Sequence, residues 1–183
     1  MKTHFATSNP GKFKEAKMLF NKNNLELEHY NVDLLEIQTD NVEELALYSV
    51  RHAFKALNKP VFVEDAGIFI KSLKDFPGVY SKHACYTIGL EGILKLLEGV
   101  EDRSAEFRAV VAYKDAENEK VFKGVCRGNI TSQVRGRDGF GYDPIFLPQG
   151  KNKTYAEDLI TKTDLSHRAQ ALKQLVDYLK LQA

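Results

Sequence analysis

Two adjacent carboxylates, Glu64 and Asp65, follow the apolar run Val61-Phe62-Val63 and precede Ala66 and Gly67. Burying a carboxylate without a partner is costly, or forces it to take up a proton. Two of them at the end of a buried strand therefore ask for a cation. A plain structural alternative stands beside this: the strand ends, and Glu64 and Asp65 point into solvent. Three other stretches bear on the choice.

In Thr7-Ser8-Asn9-Pro10-Gly11-Lys12, Asn9 suits a helix N-cap and Pro10 the first helical position, directly after a short strand at Lys2–Ala6. Lys12 and Lys14 then fall in the first turn, where the helix dipole favours acids. A cation there is unfavourable unless an anion lies beside it. Free backbone N–H groups, small residues and a lysine together make a phosphate cradle, although the G-x-x-x-x-G-K-[ST] loop is absent. An ordinary capped helix with solvated lysines is the alternative. In the segment from Gly136 to Phe146, three glycines interleave with Phe140 and Tyr142, which suits stacking against a flat base. A glycine hairpin with two core aromatics reads the same way. Finally, Lys162-Thr163-Asp164-Leu165-Ser166-His167-Arg168 opens a C-terminal helix with Ser166 as its N-cap, and His167 and Arg168 occupy the first turn. Two helices thus begin with cations set against their dipoles, and local rules tend to break at functional sites. With two carboxylates and a glycine-aromatic loop, this describes one site for a polyanion bearing a flat ring. A nucleoside triphosphate with magnesium fits.

The elements that must carry these residues are readable in outline. Leu25 to Leu35 alternates loosely as a second strand, with Glu36 just beyond, flanked by apolar residues. Asn41 caps a helix with Glu44 three residues on, and Val42, Leu45, Ala46, Ser49, Val50, Ala53 and Leu57 keep a helical period. Ile68–Ile70 reads as a separate short strand after Gly67, and a Pro-Gly turn follows at Pro77-Gly78 before Tyr80 and Ser81. Leu90 to Leu97 is helical, stopped by Gly99. Ala105 to Tyr113 and Lys120 to Ile130 form a hairpin. Ala169, Leu172, Leu175, Val176 and Leu179 stripe the last helix.

The 183 residues, 43% hydrophobic and 28% charged, fit a single globular domain over 1–183. A net charge of +1 offers no field for nucleic acid or a membrane surface. No run approaches the roughly 20 apolar residues of a membrane span. Cys85 and Cys126 form no metal or redox pattern, so a reducing cytoplasm is expected.

On four segments the chain resembles the inosine triphosphate pyrophosphatase family: Thr7 to Lys12, Glu64 to Gly67, Gly139 to Phe146, and Ser166-His167-Arg168. The turn Phe76 to Ser81 agrees, and the match runs in order from about Thr3 to Leu179. The resemblance implies an α/β fold with a long bent mixed sheet flanked by helices, two lobes with a central nucleotide cleft, and a homodimer. It implies Mg2+-dependent hydrolysis of ITP, dITP and XTP to the monophosphate and pyrophosphate, which cleanses the nucleotide pool. Asp65 matches the general base, close to the metal, and Glu36 the other metal carboxylate. Thr7, Ser8, Asn9, Pro10, Gly11 and Lys12 match the triphosphate loop. Phe140, Gly141, Tyr142 and Asp143 match the base-binding segment, and Lys162, His167 and Arg168 the remaining substrate contacts. Donors on His167 and Arg168 suit the carbonyl of a 6-oxo purine.

The chain departs from the family pattern at two places. Ala66 stands where many relatives have Ser or Thr, which leaves its backbone N–H to serve, and Ser49 stands where bacterial relatives tend to have Lys, with Arg51 as a substitute charge. Two other readings compete with the purine one: a same-fold enzyme for modified pyrimidine nucleotides, and a nucleotide-binding module without turnover.

Overall fold

The computed structural model describes residues 2–34 and 37–182. Glu36 lies outside them. Among the described residues the strands form one mixed seven-stranded sheet in the order β2-β1-β3-β5-β6-β7, with β4 paired to β3. These are β1 (Lys2–Ala6), β2 (Glu26–Tyr30), β3 (Val61–Ile70), β4 (Pro77–Gly78), β5 (Ser104–Lys114), β6 (Glu119–Ile130) and β7 (Phe146–Pro148). The helices are α1 (Pro10–Lys22), α2 (Val42–Leu57), α3 (Ser81–Thr87), α4 (Gly89–Leu96), α5 (Leu159–Leu165) and α6 (His167–Leu181).

The chain divides into two compact units. The first contains residues 1–65, 109–124 and 168–183. In it β1 runs parallel to both β2 and β3, and alternation along β1 sends Phe5 onto Phe62 with ring centroids 4.4 Å apart. Phe20 of α1 completes the stack at 5.8 Å. The anticipated stripe of α2 is buried at every position from Val42 to Ala53, and the stripe of α6 is buried throughout. α1 starts where Asn9 and Pro10 place it, and α2 ends on Asn58 in the left-handed conformation before Pro60.

The second unit contains residues 66–108 and 125–167. Its core gathers Ile68, Ile70, Ile93, Leu97, Phe107, Ile130, Ile145, Phe146 and Tyr155. Arg103 ties three backbone carbonyls together, those of Leu97, Ile130 and Thr131, at 2.7–2.8 Å.

Three elements differ from expectation. β3 is one strand of ten residues rather than a strand ending at the carboxylates and a second one after Gly67. Glu64 is only 4% exposed, so the solvent reading of its charge fails. Gly67 lets the strand continue, because a Cβ there would strike the Gly78 carbonyl oxygen. Ser81 starts helix α3 instead of ending a turn, its Oγ accepting from Ile68 N–H and donating to the Gly78 carbonyl. Lys162 lies on a separate helix, α5, which Ser166 closes before α6 begins.

Candidate active site

Residues of the first unit

The loop after β1 is self-contained. Thr7 Oγ1 accepts from Asn9 N–H at 3.1 Å, and Asn9 Oδ1 accepts from the N–H groups of Gly11 (2.9 Å) and Lys12 (3.1 Å). These amides were expected to be free for a phosphate; the Asn9 cap and Thr7 already hold them. What the loop presents outward is Ser8 and Pro10, both exposed, while the ammonium of Lys12 turns to Glu64. His29 steadies the loop from β2, its Nε2 2.8 Å from the Thr7 carbonyl and its ring stacked 4.3 Å from that of Phe13.

The cations at the two helix starts find a protein anion. Lys12 Nζ lies 2.9 Å from Glu64 Oε2 and donates to the Glu64 carbonyl at 2.8 Å. Arg168 Nε lies 3.1 Å from Glu64 Oε1, and Nη1 donates to Glu15 Oε2 at 2.8 Å. Burial opposes the charge on Arg168, but the carboxylates of Glu64 and Glu15 outweigh it and push its pKa up. The donors of Arg168 at Nε and Nη1 are thus engaged by carboxylates of its own unit, not presented as a base-reading pair. Asp65, half-buried, projects from the opposite face of β3. Ser49 is buried on α2, and Arg51 is bound bidentately by Glu119 at 2.6 and 2.9 Å, so its charge does not stand in for a site lysine.

Residues of the second unit

The glycine-aromatic loop splits its two rings between the alternatives. Phe140 is 39% exposed, whereas Tyr142 is 4% exposed, with its hydroxyl donating to the Ser81 carbonyl at 2.9 Å. The Tyr142 ring is a member of this unit's core, and that burial raises its phenol's pKa. Asp143 organises the turn: its Oδ2 accepts from Phe140 N–H at 2.7 Å and from Lys162 Nζ at 2.8 Å. Gly139, at φ +78°, is required because a Cβ would strike that same oxygen. Gly141 also has a positive φ, with open space around it. Lys162 sits 4.0 Å from the Phe140 ring centroid, a cation–π contact at a buried ammonium. His167, 3% exposed, stacks on Phe107 at 4.5 Å with the rings 6° from parallel. Ala66 is half-buried on β3.

Among the described residues no cluster of three or more His, Cys, Asp or Glu is arranged to hold a metal ion. Asp65 is the described member of the expected pair. Magnesium takes oxygen ligands and is commonly held by one or two carboxylates plus substrate phosphates, so this donor chemistry fits it. From sequence Glu64 is one of two carboxylates that ask for a cation, with no role assigned to it; Glu15, one turn after Lys12 on α1, carries no signal at all.

Similarity to known proteins

The family model described as the Ham1 family matches residues 3–178. A dITP/XTP pyrophosphatase of Methanopyrus kandleri is 47% identical over 182 residues, covering 98% of this chain and 97% of that protein. One of Pyrococcus horikoshii is 44% identical, covering 99% and 98%. The structure of the Staphylococcus aureus Ham1 protein superposes with a TM-score of 0.86 at 30% identity, over 100% of both chains. A dITP/XTP pyrophosphatase structure from Mycobacterium abscessus gives 0.72 at 27% identity, over 100% of this chain and 98% of that one. With a matching family model over nearly its whole length and relatives this similar end to end, the chain belongs to the Ham1 family.

Proposed function

We propose that this protein hydrolyses the non-canonical purine nucleoside triphosphates ITP, dITP and XTP to the monophosphate and pyrophosphate, and so cleanses the nucleotide pool. The relatives' names support the substrate class. The observation that carries the chemistry is Asp65, set on β3 directly after a carboxylate that holds two cations, Lys12 and Arg168.

In this reading Asp65 orients the attacking water and accepts its proton. Ser8 and Lys12 meet the phosphates, since the neighbouring amides of Gly11 and Lys12 are capped. Asp65 and Glu36 would hold Mg2+, which would supply positive charge against the phosphates. Phe140 offers the exposed ring for the base, with Lys162 behind it and Asp143 fixing the turn. His167 supplies the donor for a 6-oxo group, and adenine, with an amino group there, leaves such a donor unsatisfied. A homodimer in the cytoplasm belongs to the same reading.

The test is pyrophosphate release from ITP, dITP, XTP, ATP, GTP and UTP, with magnesium and with a chelator. The expected outcome is metal-dependent release from the first three. Asp65→Asn should keep nucleotide binding and lose about 10²–10⁴-fold in kcat. Turnover of UTP ahead of ITP would move the enzyme to pyrimidine nucleotides, and tight ITP binding without release would make it a sensor.

A further inference from the structure

The side chain of Glu64 has no solvent exposure, 0%, and both its oxygens face cations. Lys12 Nζ lies on Oε2 at 2.9 Å and Arg168 Nε on Oε1 at 3.1 Å. Arg168 continues to Glu15 at 2.8 Å, and Glu15 stands one helical turn beyond Lys12 on α1. Four side chains from α1, β3 and α6 therefore form a chain of alternating charge with no net charge. Buried ion pairs seldom stabilise a fold more than apolar residues of the same size would. A chain of this kind calls for a reason beyond stability, and its location supplies one. It is joined by a peptide bond to Asp65, and its cations stand in the first turns of α1 and α6.

We infer that Glu64 is a positioning residue for the substrate's phosphates: it fixes the Lys12 ammonium at the head of α1, while Arg168 holds its other carboxylate oxygen, and it does not touch substrate itself. The inference rests on the nucleotide reading above. The Lys12 ammonium donates to the Glu64 backbone carbonyl and lies in ion-pair contact with the Glu64 carboxylate. Held from two sides of one residue, it has a fixed place at the head of α1. A lysine held in this way has already lost the side-chain freedom that binding would otherwise remove. The same geometry argues against Glu64 as a metal ligand, because a divalent cation approaching either oxygen would meet a resident positive charge.

The experiment compares wild type, Glu64→Gln, Glu64→Asp and Lys12→Met, alone and with Glu64→Gln. It reads KM and kcat for dITP, inhibition by inorganic pyrophosphate, and thermal unfolding. Glu64→Gln keeps the shape and removes the charge. It should raise KM and the pyrophosphate inhibition constant together by about 10- to 100-fold, with kcat much less affected. Glu64→Asp, which keeps the charge one methylene short, should recover part of that loss and carries the comparison if Glu64→Gln does not fold. Lys12→Met should add little on top of Glu64→Gln, because the two changes remove one interaction. A variant that melts earlier yet keeps KM and pyrophosphate inhibition would overturn the inference and leave a structural ion pair. A collapse of kcat with a raised magnesium requirement would also overturn it, making Glu64 a metal ligand. If wild type releases no pyrophosphate from any nucleotide, the functional reading fails. Direct titration of wild type and variants with pyrophosphate then still decides whether Glu64 sets phosphate affinity.

Discussion

The Lys162–Asp143 pair shows how little room single side chains have here. Both are buried, and Asp143 also anchors the Phe140 amide. Lys162→Met should destabilise the protein by about 3–5 kcal/mol, because it leaves a carboxylate charge buried without its counter-ion. Asp143→Asn leaves the Lys162 ammonium buried without its counter-ion and should destabilise by a similar amount, about 3–5 kcal/mol; it should also raise KM, since the turn that carries Phe140 loses its carboxylate. Urea denaturation midpoints beside KM values separate the two effects, and lost stability with an unchanged KM would show that the pair acts only in folding. The sequence exposes the anomaly at such positions but hides the partner. Lys12 and Arg168 are conspicuous as cations at helix starts, and a ligand was the natural remedy. The actual remedy is Glu64, with Lys12 reaching its carbonyl across 52 positions of sequence, which no local rule can see.

At the level of strands and helices, periodicity was a good guide where a face was buried and a poor one where none was. The stripes of α2 and α6 and the β5–β6 hairpin follow directly from apolar spacing. α5 escapes the sequence pattern because Leu159, Ile160 and Leu165 are exposed, so no inward stripe marks it. β3 reads as two strands in the sequence because charges inside an apolar run normally mark an end. Gly67 is what makes the unbroken strand possible, so Gly67→Ala should cost about 1–3 kcal/mol through the forced shift against Gly78. Thermal melts of Gly67→Ala and of a surface control such as Gly150→Ala would check this. Gly150 itself has a positive φ but open surroundings, so its loss should reflect backbone strain alone.

For the molecule as a whole, the ordinary composition and a charge of +1 predict weak long-range steering of a polyanion, so affinity must come from contacts. Nucleotide should therefore act as a stabiliser. Asp65→Asn, which binds without turning over, should gain about 2.7 kcal/mol at a hundredfold excess of dITP over Kd. That is a rise in Tm of roughly 5–10 °C for a chain of this size, readable by scanning calorimetry, and ATP should give much less. No shift with any nucleotide would show that the polar clusters are structural. The α/β class and the motif order were legible from sequence because they are local. The resemblance implies two lobes, but the places where the chain switches units, at Asp65–Ala66, Arg108–Ala109, Gly124–Val125 and His167–Arg168, are not legible, because they depend on contacts distant in sequence.

That switching has a consequence for how the protein is made. Glu64 leaves the ribosome about a hundred residues ahead of Arg168, and the last stretch of the first unit is the C-terminal helix. Until that helix emerges, Lys12 is present and Arg168 is not. The Glu64 carboxylate then keeps its water, and the apolar strand around it resists full burial. The first unit therefore closes only after the whole of the second unit has been made, when Arg168 arrives.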